Sequence, residues 1–131
     1  MKEPVFLGLD DLIAIHHDQI NRYGGPAGIR DIELLKSAIA MPVASFGGEY
    51  LHNNLYEMAA AYLFHITRNH PFIDGNKRTG AVASVVFLLM NGMDFNADEA
   101  SFEKLVRSVA DGKSDKAAIA QFFRNNTKTV N

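Results

Sequence analysis

The sequence predicts an all-α fold, a compact bundle of about six helices around a buried central helix, admitting a short strand or hairpin flap. Three observations carry this. Apolar residues recur at helical spacing, as at Leu55, Met58, Ala59, Tyr62 and Ile66. Cap-forming residues open such windows, and Gly or Pro closes them. The stretch Ala81–Met90 is almost wholly apolar, which places its helix at the centre of the domain.

Bulk properties narrow the class. The 131 residues fit a single domain, 1–131, with 47% hydrophobic and 21% charged residues. A formal net charge of −2 argues against a general nucleic-acid binder, and no direct nucleic-acid contact is expected. The chain has no cysteine, which excludes disulfides and Cys-ligated zinc and fits a reducing compartment. Met1–Asp10 lacks the apolar run of a secretory signal, and Gly80–Met90 is too short to span a bilayer. The expectation is a cytoplasmic protein with no membrane partner.

Taken in order, Pro4–Leu9 reads as a strand or an extended arm. Asp10 or Asp11 is expected to cap a first helix to Asn21 or Arg22, with Leu12, Ile13, Ile15 and Ile20 inward, stopped by Gly24-Gly25-Pro26. Ala27–Arg30 reads as a loop. Asp31 caps a second helix that buries Ile32, Leu34, Leu35, Ala38 and Ile39 and stops before Pro42. Pro42–Asn54 is a loop long enough to be functional, with Gly47-Gly48 suited to a hairpin tip. Asn54 caps a third helix over Leu55–Asn69. A fourth runs to about Met90 and ends at Asn91-Gly92 as a left-handed cap requires. A fifth spans Asp98–Ala110 and breaks at Asp111-Gly112. Ser114 or Asp115 caps a last helix to about Arg124, and the polar tail Asn125–Asn131 is expected to fray.

The chemistry lies between the third and fourth helices, in His70-Pro71-Phe72-Ile73-Asp74-Gly75-Asn76-Lys77-Arg78-Thr79-Gly80. Pro71 ends the preceding helix near Asn69. Asp74 or Asn76 can cap the next one, and Gly75 permits a sharp turn or close approach to a ligand. The first amides of a helix lack partners and its dipole is positive there, so anions are favoured. Lys77 and Arg78 add two cations where cations are otherwise unfavourable, which calls for an anion to offset them. Asp74 among these cations reads as a cap or as an oxygen ligand for Mg²⁺ beside a nucleotide. His70 suits a base acting on a hydroxyl. Arg68 either helps to bind the nucleotide or pairs with an acid. His65 lies five residues before His70, not at a helical metal-pair spacing, and reads as a satisfied interior or edge histidine. His16 reads as a packing residue. The glycine spacing is not that of a P-loop.

This stretch resembles the signature of the Fic/Doc superfamily, and more narrowly the death-on-curing (Doc) toxin branch. The resemblance extends to Ile13-Ala14-Ile15-His16, Arg22-Tyr23-Gly24-Gly25 and Phe87-Leu88-Leu89-Met90-Asn91-Gly92. It implies transfer of part of a nucleotide to a protein hydroxyl. Most of the superfamily moves AMP. The Doc branch moves the terminal phosphate of ATP onto a translation elongation factor and stops translation.

By position, the resemblance implies that His70 is the general base and Asp74 the Mg²⁺ ligand. It makes Gly75, Asn76, Lys77 and Arg78 the phosphate cradle, and Phe72 the buried anchor of the loop. Lys77 and Ala81 stand where the AMP-transferring pattern has Gly and a second Arg, as in the Doc branch, whereas Pro71 and Gly75 match the AMP-transferring form. Ser45 to Glu49 has the spacing of the self-inhibiting helix of Fic proteins, but Gly47-Gly48 and Tyr50 break that pattern. A toxin without self-inhibition implies a cognate antitoxin. The expectation is therefore a kinase toxin using ATP and Mg²⁺. AMP transfer is the alternative, and a non-catalytic binding module of the same fold is the reading from another class. The acidic balance and the single motif histidine disfavour a nuclease.

Overall fold

The computed structural model describes residues 3–130. Before the first helix the chain is an extended arm, the second of the two forms expected for Pro4–Leu9. Its backbone is held by side chains rather than by a sheet. Val5 exchanges two bonds with the Asn91 amide (2.7 and 2.9 Å), and Leu7 exchanges two with the Tyr62 hydroxyl (2.8 and 3.0 Å). Burial pushes the Tyr62 phenol up to about 12.

Six helices follow among the described residues. α1 (Leu9–Tyr23) begins one residue before the expected cap. Gly8 is the cap, and Asp11 accepts its N–H from within the first turn (2.8 Å). The inward face also differs, since Leu12, His16 and Gln19 are buried while Ile13 is exposed. α2 (Ile32–Val43) has the expected Asp31 cap, which accepts from Leu34 at 3.0 Å. It runs past Pro42 by one residue instead of stopping before it. A proline in the last turn removes only one helical bond, Ala44 N–H closes the end on Met41 (3.2 Å), and the ring is buried. Ile32, expected inside, is exposed.

The long loop contains a hairpin, β1 (Ser45–Phe46) against β2 (Glu49–Tyr50), with Gly47-Gly48 at the tip. Both glycines have positive φ, 60° and 82°, as a two-residue hairpin turn of the favoured hand requires. α3 (Leu55–Asn69) is capped by Asn54, which accepts from Glu57 N–H at 2.9 Å. α4 (Asn76–Met90), α5 (Glu99–Ala110, capped by Asp98) and α6 (Lys116–Asn125, capped by Asp115) complete the bundle.

The central helix is α3, not α4. α3 packs against α2, α4, α5 and α6, and its Ala59, Ala60, Ala61, Tyr62, Leu63 and Ile66 are fully buried. α4 ends with Leu89 and Met90 exposed. Hydropathy favoured α4, but the alanine run lets neighbouring helices close onto α3. Where α4 crosses α3, a β-carbon at Gly80 would lie 3.0 Å from the Thr67 hydroxyl. The tail is also not frayed over the described residues. β4 (Thr127–Thr129) pairs antiparallel with β3 (Met93–Phe95), which follows Gly92 in the left-handed position; Asn131 lies outside the described residues. No helix among the described residues is long and apolar enough to cross a membrane.

Candidate active site

The turn between α3 and α4 is built from its own sequence outward. α3 ends at Asn69, as Pro71 dictates, and His70 takes the left-handed conformation (φ 52°, ψ 52°). It is the one non-glycine residue with positive φ among the described residues, a conformation costing about 1–2 kcal/mol for an ordinary side chain. Phe72 is fully buried, as expected of an anchor, and its ring stacks on His16 of α1 with centroids 3.8 Å apart and planes at 4°. His16 Nε2–H also donates to the Asp74 carbonyl at 2.8 Å. The packing role read for His16 is thus fulfilled, with a bond to the loop in addition.

Neither Asp74 nor Asn76 caps α4. Gly75 is the cap, in the left-handed region (φ 79°), and no side chain bonds the helix start. Asn76 is 4% exposed and spends its side-chain amide on Phe72 instead. Its Oδ1 accepts from Phe72 N–H (2.9 Å), and its Nδ2–H donates to Phe72 O (3.0 Å). Thr79 is the first residue whose amide bonds back, to Gly75 O at 2.9 Å. The amides of Asn76, Lys77 and Arg78 are therefore left for another acceptor, and the first turn holds no acid.

All seven sequence-selected residues, Arg68, His70, Asp74, Gly75, Asn76, Lys77 and Arg78, line one cleft of about 550 Å³ together with Thr67 and Ala110. Three cations and a helix start without a side-chain cap thus share the cleft with one carboxylate. Among the described residues, Lys77 and Asp74 join no ion pair. Arg78 lies 5.3 Å from the Tyr23 ring centroid and donates to Gly24 O at 3.3 Å. Arg68 makes no ion pair either, and its guanidinium donates to Ala110 O at 3.1 Å. Asp74 is accommodated by Gly25 at the end of α1, where a β-carbon would overlap its carboxylate.

Sequence reasoning missed two supports. The Gly24-Gly25 pair was legible as a helix stop but not as the seat of Asp74. Arg30 read as loop, yet it donates through Nε to His70 O (2.7 Å) and through Nη2 to Asn69 O (3.0 Å). Nothing local marks such a contact, which joins residues about forty apart in the chain. His65 is away from the cleft, its Nε2 3.1 Å from Lys116 Nζ, with His52 Nε2 3.4 Å from the same ammonium. Burial first and the Lys116 charge second bring His65 down to about 4, and the same causes lower His52.

A left-handed histidine and a cationic helix start with three free amides line one cleft on a small helical bundle. The chain belongs to the Fic/DOC family, whose profile matches residues 6–88. It is similar to Toxin Doc of Mycolicibacterium smegmatis, at 40% identity over 102 residues, 75% of this chain and 77% of that protein. It is also similar to Protein kinase doc of Escherichia phage P1, at 35% identity over 115 residues, 88% of this chain and 90% of that protein.

Proposed function

We propose that this protein is a Doc-type toxin that transfers the terminal phosphate of ATP to a Ser or Thr hydroxyl of a translation elongation factor, held in check by a cognate antitoxin. The observation that supports it best is one cleft lined both by His70 and by the start of α4, where the amides of Asn76, Lys77 and Arg78 are free. The names of the two relatives, a toxin and a protein kinase, point the same way.

In this reading the phosphates of ATP lie on the α4 start, held by those amides, Lys77 and Arg78, with Arg68 at the opposite rim. His70 takes the proton of the target hydroxyl. The hydroxyl oxygen forms a bond to the terminal phosphorus, the bond from that phosphorus to the bridging oxygen breaks, and ADP departs. Asp74 would hold Mg²⁺, which would screen the phosphate charge when bound. The fit is a single carboxylate with no other partner among the described residues. No cluster of three or more His, Cys, Asp or Glu gathers there, so phosphates and water would complete the coordination, as Mg²⁺ prefers.

AMP transfer remains the second reading because Pro71 and Gly75 follow the AMP-transferring form of the motif. The test is incubation with cell extract and ATP labelled at either the α or the γ position, for wild type and His70→Ala. Label from γ alone, lost in the variant, is the expected result. Label from α would replace the kinase reading with AMP transfer. No label from either, with a folded protein, would sink both and leave a binding module.

A further inference from the structure

We propose that Arg30 is a positioning residue for His70, its guanidinium holding the left-handed turn that turns this histidine into the cleft. This rests on reading His70 as the proton acceptor. Pro71 removes the right-handed helical region from the conformations open to His70, but it leaves extended backbone available. Something must still select the left-handed alternative, which costs energy even for His, although His is found there more often than most side chains.

The selection follows from the geometry of one planar group. Nε and Nη2 of Arg30 are a fixed distance apart and donate to the carbonyls of His70 (2.7 Å) and Asn69 (3.0 Å) together. Both bonds require two consecutive carbonyls to lie side by side, which an extended His70 would prevent. The carbonyls are also the end of α3, where the helix dipole favours a cation. No acid pairs with Arg30 among the described residues, so its charge is directed to these oxygens.

The neighbouring backbone serves a separate purpose. Arg30 and Asp31 N–H both donate to Pro71 O (2.7 and 3.0 Å), and Ile73 N–H donates to Gly28 O (3.0 Å). These bonds anchor the chain after the histidine. None of them reaches the His70 carbonyl, which leaves that to the Arg30 side chain, and truncating the side chain removes none of their donors or acceptors.

The test uses the full chain with Arg30→Ala, Arg30→Lys and Arg30→Gln, read by kinetics with ATP and by NMR of histidine-labelled protein. In Arg30→Ala we expect kcat to fall on the order of 10- to 100-fold with the KM for ATP within about twofold, because the phosphate cradle is untouched while the base is misplaced. The His70 backbone carbon shifts should move toward extended values while those of His16, His17, His52 and His65 stay. Arg30→Lys, which offers a point charge without the fork, should recover only part of both. Arg30→Gln checks the same signals should the alanine variant fail to fold. Unchanged His70 shifts in a folded variant would overturn the proposal, as would equal changes in all five histidines. The NMR result decides the role of Arg30 even if the wild type transfers no group, an outcome that would count against the catalytic reading alone.

Discussion

Replacing Asn76 with Ala probes the part of the site that holds itself together. The Asn76 side chain is buried and satisfies both the N–H and the C=O of Phe72, itself fully buried. Removing it strands two backbone groups at about 1–3 kcal/mol each, less whatever water recovers. Alanine regains about 0.5 kcal/mol of helix propensity at the start of α4. That leaves about 1.5–5.5 kcal/mol, and with water recovering part of it the lower half of the range applies, about 2–3 kcal/mol. For 131 residues unfolding with an entropy of about 2.1 cal/mol/K each, that lowers Tm by about 7–11 °C. Asn76→Asp keeps an acceptor for Phe72 N–H but turns a buried carboxylate oxygen toward Phe72 O, so at neutral pH it should lower Tm at least as much as alanine does. Thermal melts by circular dichroism at neutral pH measure both. A drop below about 2 °C in the alanine variant would mean that these two bonds do not hold the loop. An aspartate variant as stable as wild type would refute the assignment of donor and acceptor.

Other consequences follow from the same structure. Gly25→Ala places a methyl group against the Asp74 carboxylate at φ 109°, so the Mg²⁺ concentration needed for half-maximal transfer should rise several-fold; an unchanged requirement would remove Asp74 as the metal ligand. His65 is held below its ordinary value, at about 4, so the unfolded chain binds its proton first as the pH falls. Stability from this group is whole above about pH 6.5 and is lost toward pH 4, amounting to about 1–2 kcal/mol once partial solvation is allowed for. Urea melts should show His65→Gln losing less stability than wild type between pH 7 and 4.5. Equal losses would contradict the neutral state of His65 beside Lys116. His70→Ala should retain the wild-type melting curve and abolish growth arrest on expression; a toxic, folded variant would remove His70 from the chemistry.

Much of this architecture was written in local signals. Asp31, Asn54, Asp98 and Asp115 each cap a helix, and caps are properties of four or five adjacent residues. Gly47-Gly48 and Asn91-Gly92 encode turns of one hand in the same way. All the cleft residues except Ala110 fall within Thr67–Arg78, so a short stretch of chain brought most of the site with it. What escaped was set by partners far along the chain. Thr127-Lys128-Thr129 has no apolar alternation, and only its pairing with Met93–Phe95 makes it a strand. α3 outranks α4 as the central helix because small side chains permit close approach, a property that mean hydropathy does not register. Asp74 and Asn76 each suited a cap by residue type. A buried partner in Phe72 claimed Asn76, and the left-handed Gly75 took the cap position itself. Arg30 and Gly25 reach the site only through the closure of α1 and the α2 entry onto the turn.

The central claim is spatial: a triphosphate rests on the α4 start with its terminal phosphorus facing His70. A crystal structure with a non-hydrolysable ATP analogue and Mg²⁺ tests it directly. The account predicts phosphate oxygens within hydrogen-bond distance of the Asn76, Lys77 and Arg78 amides and the His70 imidazole directed at the terminal phosphate. Phosphates bound elsewhere, or an imidazole turned out of the cleft in the complex, would contradict it.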